Sequence, residues 1–363
     1  MPDQNEQASD LLSLVQHSGI TSVSCIGLAK NVGKTVAFNH FVSQAAARSL
    51  RLGLTSIGRD GEKRDEVFHT PKPRIFSPTG ALLATATDTL NRCEATVEVL
   101  QHTGFASAMG EIVVVRTTAA GLVELAGPTL ISQHQALQKL FVQHGAQLTL
   151  IDGALDRVSP AVPGLAQSII LSTGAALAQS IELVLAKTQD RVNRLTLPQV
   201  SEPLLAVCRQ ITAANQVAVL DEELQINTLD APHSLLAGEL LKQAITNRTE
   251  SVVLSGAAGD TILDCLLASQ RRGKLQLVLK NGAALFCSPE LWRRFVTAGG
   301  SIRVVEPIRL LAVTVNPVSP TGAPHDAYEF FSRIAAGLAP YPVFDLVQSF
   351  STIGRNEQNM EMK

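Results

Sequence analysis

Cysteine, aromatic residues and net charge are all scarce in this chain of 363 residues. The five cysteines, Cys25, Cys93, Cys208, Cys265 and Cys287, are odd in number and form no CxxC pair. That excludes a disulfide framework and zinc-ligand spacing, and it points to a reducing, cytoplasmic home. With 30 Lys+Arg against 32 Asp+Glu the formal charge is −2, and no segment concentrates basic residues. A nucleic-acid binder, whose phosphate contacts leave a visible basic excess, is therefore not expected. A long hydrophobic run is missing too. Residues 158–181 carry no charge, but Pro160, Pro163, Gly164, Gln167 and Gly174 interrupt them. The pattern predicts a buried strand followed by a helix rather than a membrane span. The opening MPDQNEQASD is polar and acidic where a secretory leader is basic and then apolar. There is no GxSxG, HExxH, EF-hand or DxHxxG pattern, the eight histidines are scattered, and no solenoid-period repeat or low-complexity tract occurs.

What is present is a chain 45% hydrophobic, with aromatics at only 4% and Trp292 its single tryptophan. Ala, Leu, Val, Ile and Gly dominate, the mixture used by parallel sheets and the helices that cover them. The length implies two domains. Apolar runs typical of buried strands recur at 21–27, 52–57, 111–116, 147–152 and 168–173. Helix-period segments separate them: 34–50 aligns Val36, Phe38, Phe41, Val42 and Ala45, and 130–145 aligns Leu130, Leu137, Leu140 and Phe141. Such alternation implies right-handed βαβ crossovers and an α/β fold with a mainly parallel sheet. After the polar ITAAN turn a second alternation begins, with strands at 216–220, 251–255 and 275–280, helices at 234–247, 259–271 and 289–298, and apolar runs at 301–305 and 309–315. Ser288 and Pro289 suit the start of the helix holding Trp292, and Gly299 and Gly300 its end. The expected organisation is a nucleotide-binding domain over 1–213, a second, smaller α/β domain over 214–345, and a polar C-terminal tail over 346–363.

The segment that carries chemistry is Gly27-Leu-Ala-Lys30-Asn31-Val32-Gly33-Lys34-Thr35, between a predicted strand and a predicted helix. A phosphate loop uses such a turn to aim backbone amides at bound phosphate. Its lysine neutralises the outer phosphates and its Ser or Thr hydroxyl ligates Mg²⁺. On this reading residues 30–33 line the cradle, Lys34 supplies the charge and Thr35 takes the metal of a bound ATP·Mg²⁺. The common loop leaves four residues between its first glycine and the Gly-Lys pair, whereas Gly27 and Gly33 enclose five. In this IGLAKNVGKTVAF resembles the phosphate loop of dethiobiotin synthetase, a likeness covering about the first 155 residues. Lys30 lies one position nearer the Gly-Lys pair than the signature lysine of MinD-like ATPases, and a solvated loop lysine is the alternative.

A phosphate loop needs carboxylates to hold the metal and its waters. Asp152, ending the apolar run LTLID, reads as a Walker-B acid. The loop after the second strand offers Asp60, Glu62 and Asp65, of which Asp60 is the first candidate metal ligand and the other two stay open. Arg59 or Arg64 reaches phosphate or substrate on the same reading, which gives residues 58–66 the task of sensing the γ-phosphate; a solvated charged turn is the alternative. Arg157 stands near Asp152. Dethiobiotin synthetases also carry a Lys-Pro-Val on strand two. Here that strand reads Leu54-Thr55-Ser56-Ile57, and Lys72, downstream, is the nearest substitute. Two later segments are rich in turn formers. Gly256-Ala-Ala-Gly259-Asp260 suits an anion-binding turn or a plain sheet-to-helix corner, and Val313 to Gly322, VTVNPVSPTG, suits a functional loop.

Taken together, IGLAKNVGKT, LTSIGRDGE, TPKPRI, LAGPT, IDGALDR, VNPVSPTG and PYPVFDL are similar to the smaller subunit of the lysine 5,6-aminomutase reactivase family. The resemblance implies an ATP-dependent, chaperone-like factor that lets a damaged cobalamin leave an adenosylcobalamin-dependent aminomutase. It also implies a companion subunit resembling the ATPase part of MutS proteins, and so a homo- or hetero-oligomer with Lys34 and Asp152 as the catalytic pair. Two other readings stay open. One is an ATP-dependent small-molecule ligase of the dethiobiotin synthetase type, with Lys72, Arg74 or Arg116 lining its pocket. The other is a nucleotide-binding interaction subunit without turnover.

Overall fold

A computed structural model describes residues 10–57, 74–153, 163–231, 233–271, 273–319 and 325–353. The chain divides into two compact units: the first comprises 1–189 and 309–363, and the second comprises 190–308.

The first unit opens with helix α1 (Leu11–His17), whose first turn is capped by Asp10 accepting from the Ser13 amide. There follow β1 (Ser22–Gly27), α2 (Lys34–Ala47), β2 (Leu52–Ser56), β3 (Ile75–Ser77), β4 (Leu82–Ala86) and the short α3 (Thr87–Leu90). The hairpin of β5 (Thr96–Ser107) and β6 (Gly110–Ala119) leads through β7 (Gly121–Val123) to α4 (Ile131–Gln143), β8 (Leu148–Asp152) and β9 (Ser168–Gly174). Helix α5 (Ile181–Leu195) carries the chain into the second unit. That unit holds α6 (Leu204–Ala213), β10 (Val217–Asp221), β11 (Ile226–Leu229), α7 (Gly238–Ala244), β12 (Thr249–Leu254), α8 (Asp260–Ala268), β13 (Gln276–Leu279), α9 (Pro289–Thr297) and β14 (Ser301–Val304). The chain then returns to the first unit with β15 (Leu310–Asn316), α10 (Ala327–Leu338), β16 (Val343–Asp345) and β17 (Phe350–Ser351).

The large sheet runs β17-β16-β15-β9-β1-β8-β2-β4-β6-β5. From β16 to β4 every neighbouring pair is parallel, while β17, β6 and β5 run antiparallel to their neighbours. The expected α/β class with a mainly parallel sheet is thus the observed one. Strand β1 lies at the centre, all six residues buried, because apolar side chains cover both faces. On one face Val23, Cys25, Leu54 and Leu150 pack against Phe38, Phe41, Val42 and Ala45 of α2. On the other Leu82, Ala84 and Val114 meet Leu137 and Phe141 of α4. A Cβ on Gly53 would stand 2.4 Å from the Phe141 ring, so the glycine is what lets that helix come down onto the sheet. Val36 and Leu130, placed on the apolar stripes by their spacing, are exposed instead. The sheet's edges are broken up by three register shifts along β5 and by the two-residue length of β17.

In the second unit the order is β11-β10-β12-β13-β14, with β12, β13 and β14 parallel and β10 antiparallel to both its neighbours. Leu205, Cys208 and Ile211 of α6 cover one face, and Leu241, Ile262, Leu266, Leu291 and Phe295 cover the other. As expected, Ser288 caps α9 by accepting from the Leu291 amide, with Pro289 in its first turn. Arg194 is buried in this unit. Its guanidinium holds both oxygens of Asp190 at 2.8 Å, donates to the Cys287 carbonyl at 2.6 Å and lies over the Trp292 ring.

The expected break at 213/214 differs from the structure, in which the second unit begins at Asp190 and ends at Ile308. The run at 309–315, assigned by sequence to the second domain, pairs in parallel with β9 from Leu310–Ile169 to Asn316–Gly174 and so belongs to the large sheet. Apolar periodicity reports that a strand is buried but not which sheet buries it. The region 346–363, expected as a polar tail, begins with residues that pack: β17 pairs with β16 and Ile353 is buried, while 354–363 lie outside the described residues. The hairpin β5–β6 also differs from the expected βαβ rhythm, since 111–116 forms part of an antiparallel strand. Among the described residues no helix is long and apolar enough to cross a membrane.

Candidate functional site: the 27–35 loop beside strand β15

Ligands of parallel α/β sheets gather at the carboxyl ends of the strands. Strand β1 ends there with Gly27, and the Leu28 amide donates to Ser172 O of β9 at 2.9 Å, which anchors the loop as it leaves the sheet. Asn31 takes φ 64° and Gly33 φ 90°, with the buried Val32 between them. Left-handed residues alternating with ordinary ones turn successive amides toward one side and form an anion-binding concavity. Asparagine tolerates that conformation and glycine is free in it, which is the local reason for these two residue types.

Gly33 is the N-cap of α2. The helix has no side-chain cap and no acidic residue in its first turn, so its free amides and the positive end of its dipole are left for an incoming anion. Lys34 opens the helix, and its Nζ lies 2.6 Å from Asp152 Oδ1 and 2.6 Å from Gly153 O. The two side chains are 22% and 24% exposed, so the pair is shielded on most sides yet open to a ligand. Thr35, next along the helix, is half-buried; Lys30 and Asn31 are exposed.

Strand register places the acid. Asp152 is opposite Cys25 of β1 and Ser56 of β2, one strand from the loop. Gly153 N donates to Cys25 O and Ile57 N to Asp152 O, so the strand ends are fixed by backbone bonds. The buried Cys25 thiol is pushed up to about 12 by burial first and then by the Asp152 carboxylate; it is an inert core group, not a nucleophile.

The sequence-predicted residues are thus gathered in part. Gly27, Lys30, Asn31, Val32, Gly33, Lys34 and Thr35 form one loop and helix start, and Asp152 contacts Lys34. Asp60, Glu62, Asp65, Arg59, Arg64, Lys72 and Arg157 lie outside the described residues. Among the described residues no group of three or more His, Cys, Asp or Glu stands together to hold a metal. The Thr35 hydroxyl and the Asp152 carboxylate are hard oxygen donors that suit Mg²⁺, an ion that keeps several waters and shares phosphate oxygens. Arg116 does not join them: it pairs with Leu82 at the start of β4, the far end of that strand from the loop edge, and it neighbours Glu98 at 3.7 Å. Arg74 is paired with Glu94 on the surface. In the second unit, the Gly256 amide donates to Ser234 Oγ and Asp260 accepts from the Ser288 amide, so that glycine turn serves as a structural corner.

Sequence reasoning missed the position of Asn316. It singled out VTVNPVSPTG but assigned it to the second domain, whereas Asn316 ends β15 beside the 27–35 loop and donates from Nδ2 to Asn31 O at 3.1 Å. The only local signal was an Asn-Pro pair ending an apolar run. Comparison with protein-family models, with curated proteins and with solved structures finds no match to this chain.

Proposed function

We propose that this chain binds a nucleoside triphosphate, ATP in the first instance, together with Mg²⁺ at the loop 27–35. The observation that carries the reading is the contact of Lys34 with Asp152 at the start of an uncapped helix, beside a loop with left-handed turns at Asn31 and Gly33. A lone glycine-rich turn would need neither the part-buried approach of a lysine to a carboxylate nor a free helix start. On binding, the amides of the loop and of the first turn of α2 take the phosphate oxygens, and Lys34 moves its Nζ from Asp152 to the outer phosphates. Asp152, released, and the Thr35 hydroxyl are the residues that would hold a bound Mg²⁺. The metal neutralises the phosphates when bound.

The resemblance to the aminomutase reactivase family extends this to a role: nucleotide binding coupled to the release of damaged cobalamin from an adenosylcobalamin-dependent aminomutase, with a MutS-like ATPase subunit as companion. In its favour, two of the segments that carry the resemblance, IGLAKNVGKT and VNPVSPTG, are in contact through Asn31 and Asn316. The ligase alternative has less support, because Arg116 is at the wrong end of its strand and Arg74 is paired on the surface. The test is isothermal titration of the purified chain with ATP and Mg²⁺ beside Lys34→Ala. Binding by the wild type that the variant loses supports the reading, and absence of binding by the wild type ends it. A pull-down against aminomutase and companion subunit, with and without ATP, then tests the role.

A further inference from the structure

We infer that Asn316 is a positioning residue of the phosphate loop: its side chain sets the direction of the peptide between Asn31 and Val32, and with it the affinity of the loop for phosphate. The inference rests on the nucleotide-binding reading above and adds a residue 285 positions away in sequence from the loop it controls.

The argument begins with peptide geometry. The C=O of Asn31 and the N–H of Val32 belong to one planar trans peptide, so they point in opposite directions. Asn316 Nδ2 donates to Asn31 O at 3.1 Å, which turns the carbonyl toward β15 and therefore the Val32 amide away from it. Val32 is 1% exposed, and among the described residues its amide meets no protein acceptor. Buried amides without partners are rare, and on the nucleotide-binding reading this one is left to donate to phosphate. The Asn316 amide group is itself held, because its Oδ1 accepts from the Val318 amide at 3.1 Å. That contact assigns the oxygen and leaves the NH₂ for the loop.

Packing makes the arrangement tight. A Cβ on Gly33 would stand 3.2 Å from Asn316 Cβ, and a Cβ on Gly174 would stand 2.6 Å from Asn316 O. Glycines on both sides therefore let the end of β15 come against the loop. Asparagine enters the left-handed region at little cost, and the contact with Asn316 fixes where its carbonyl points once there.

Two variants separate positioning from general stability. Asn316→Ala removes both side-chain bonds; Asn316→Asp keeps the acceptor for Val318 but turns a second oxygen toward Asn31 O. Loss of one such hydrogen bond corresponds to roughly three- to ten-fold in an equilibrium constant. Isothermal titration with ATP and Mg²⁺ is expected to show both variants binding about three- to ten-fold more weakly, the Asp variant no better than the Ala variant. The ¹H–¹⁵N amide shifts of the proteins without nucleotide are expected to move at Val32, Gly33 and Lys34 in both variants, as the peptide before Val32 turns, with the far strands of the large sheet unchanged. Wild-type affinity in both variants while Lys34→Ala abolishes binding overturns the inference and leaves the nucleotide reading standing. A lowered melting temperature with unchanged dissociation constant overturns it as well. Unchanged amide shifts at 32–34 overturn it whatever the nucleotide result, and absence of binding by the wild type overturns the reading on which it rests.

Discussion

Removing the negative charge of Asp152 has opposite consequences with and without Mg²⁺, and the sign separates a phosphate site from a structural ion pair. Lys34 Nζ is held by Asp152 Oδ1 and Gly153 O, both at 2.6 Å, so an incoming phosphate competes with the carboxylate for the ammonium. Opposite charges about 4 Å apart attract by roughly 4 kcal/mol at an effective dielectric of about 20, before desolvation is subtracted. A hydrogen bond to a charged group is worth about 1.5–3 kcal/mol net. Because each side chain is about a quarter exposed, water screens part of this, and about 1–2 kcal/mol is the expected strength of the competition. Asp152→Asn keeps the shape and one oxygen while losing the charge. Without metal, in the presence of a chelator, calorimetric titration with ATP should therefore show the variant binding about 5- to 30-fold more tightly than the wild type. Added Mg²⁺ should then strengthen binding by the wild type far more than by the variant, since the carboxylate that orients the metal's waters is gone. Weaker or equal metal-free binding by a folded Asp152→Asn protein would refute the idea that phosphate and carboxylate compete for Lys34.

His134, on α4, is buried and neutral: burial pushes its imidazole down to about 4, against an ordinary 6.5, while Nε2 donates to Pro128 O at 2.8 Å. Below pH 6.5 the unfolded chain takes up a proton that the folded protein excludes, so stability present above pH 6.5 is lost as pH falls toward 4, by about 2 kcal/mol at pH 5. Urea unfolding at pH 7.5 and pH 5 should show this loss in the wild type and a smaller one in His134→Gln; equal slopes in both would exclude His134 as the cause. Gly127 donates its amide to Ser56 Oγ at the end of β2, and a Cβ there would stand 1.9 Å from Ser56 O, a backbone atom that cannot swing aside. Gly127→Ala should destabilise by about 1–3 kcal/mol in chemical denaturation, whereas Gly238→Ala, inside α7 and with its new methyl 3.6 Å from Thr261, should cost no more than about 0.5 kcal/mol. Equal effects would show that the backbone at Gly127 yields.

What the sequence revealed follows from how local each signal is. The loop was readable because cradle, lysine and hydroxyl occupy adjacent positions, and Asp152 because an acid ending an apolar strand has few other reasons to be there. The central parallel strands were readable because burial on both faces writes an unbroken apolar run. The hairpin β5–β6 was less so, since much of β5 is exposed and lacks such a run. Strand β15 was found as a strand yet assigned to the wrong unit, because pairing with β9 is a choice of partner that no pattern inside 310–316 encodes. Asn316 was lost with it, since its role depends on a neighbour supplied by that pairing.

The same pairing makes a fragment ending at residue 213 a stringent test of the architecture. On the sequence-based division that fragment is the complete nucleotide-binding domain. In the structure it lacks β15, so β9, whose seven residues are all buried, would present its outer backbone groups and the flanks of Ile169, Ile170 and Leu171 to water. It would also lack Asn316, the side chain that turns the Asn31 carbonyl. An unpaired, apolar strand edge invites association with other chains. The fragment should therefore aggregate or unfold, measured by light scattering and circular dichroism, whereas a chain with residues 190–308 replaced by a flexible linker from Gln189, inside α5, to Arg309 should keep the large sheet and bind ATP·Mg²⁺. A monomeric, folded fragment 1–213 with full nucleotide affinity would mean that β15 is dispensable and that the loop holds its conformation unaided.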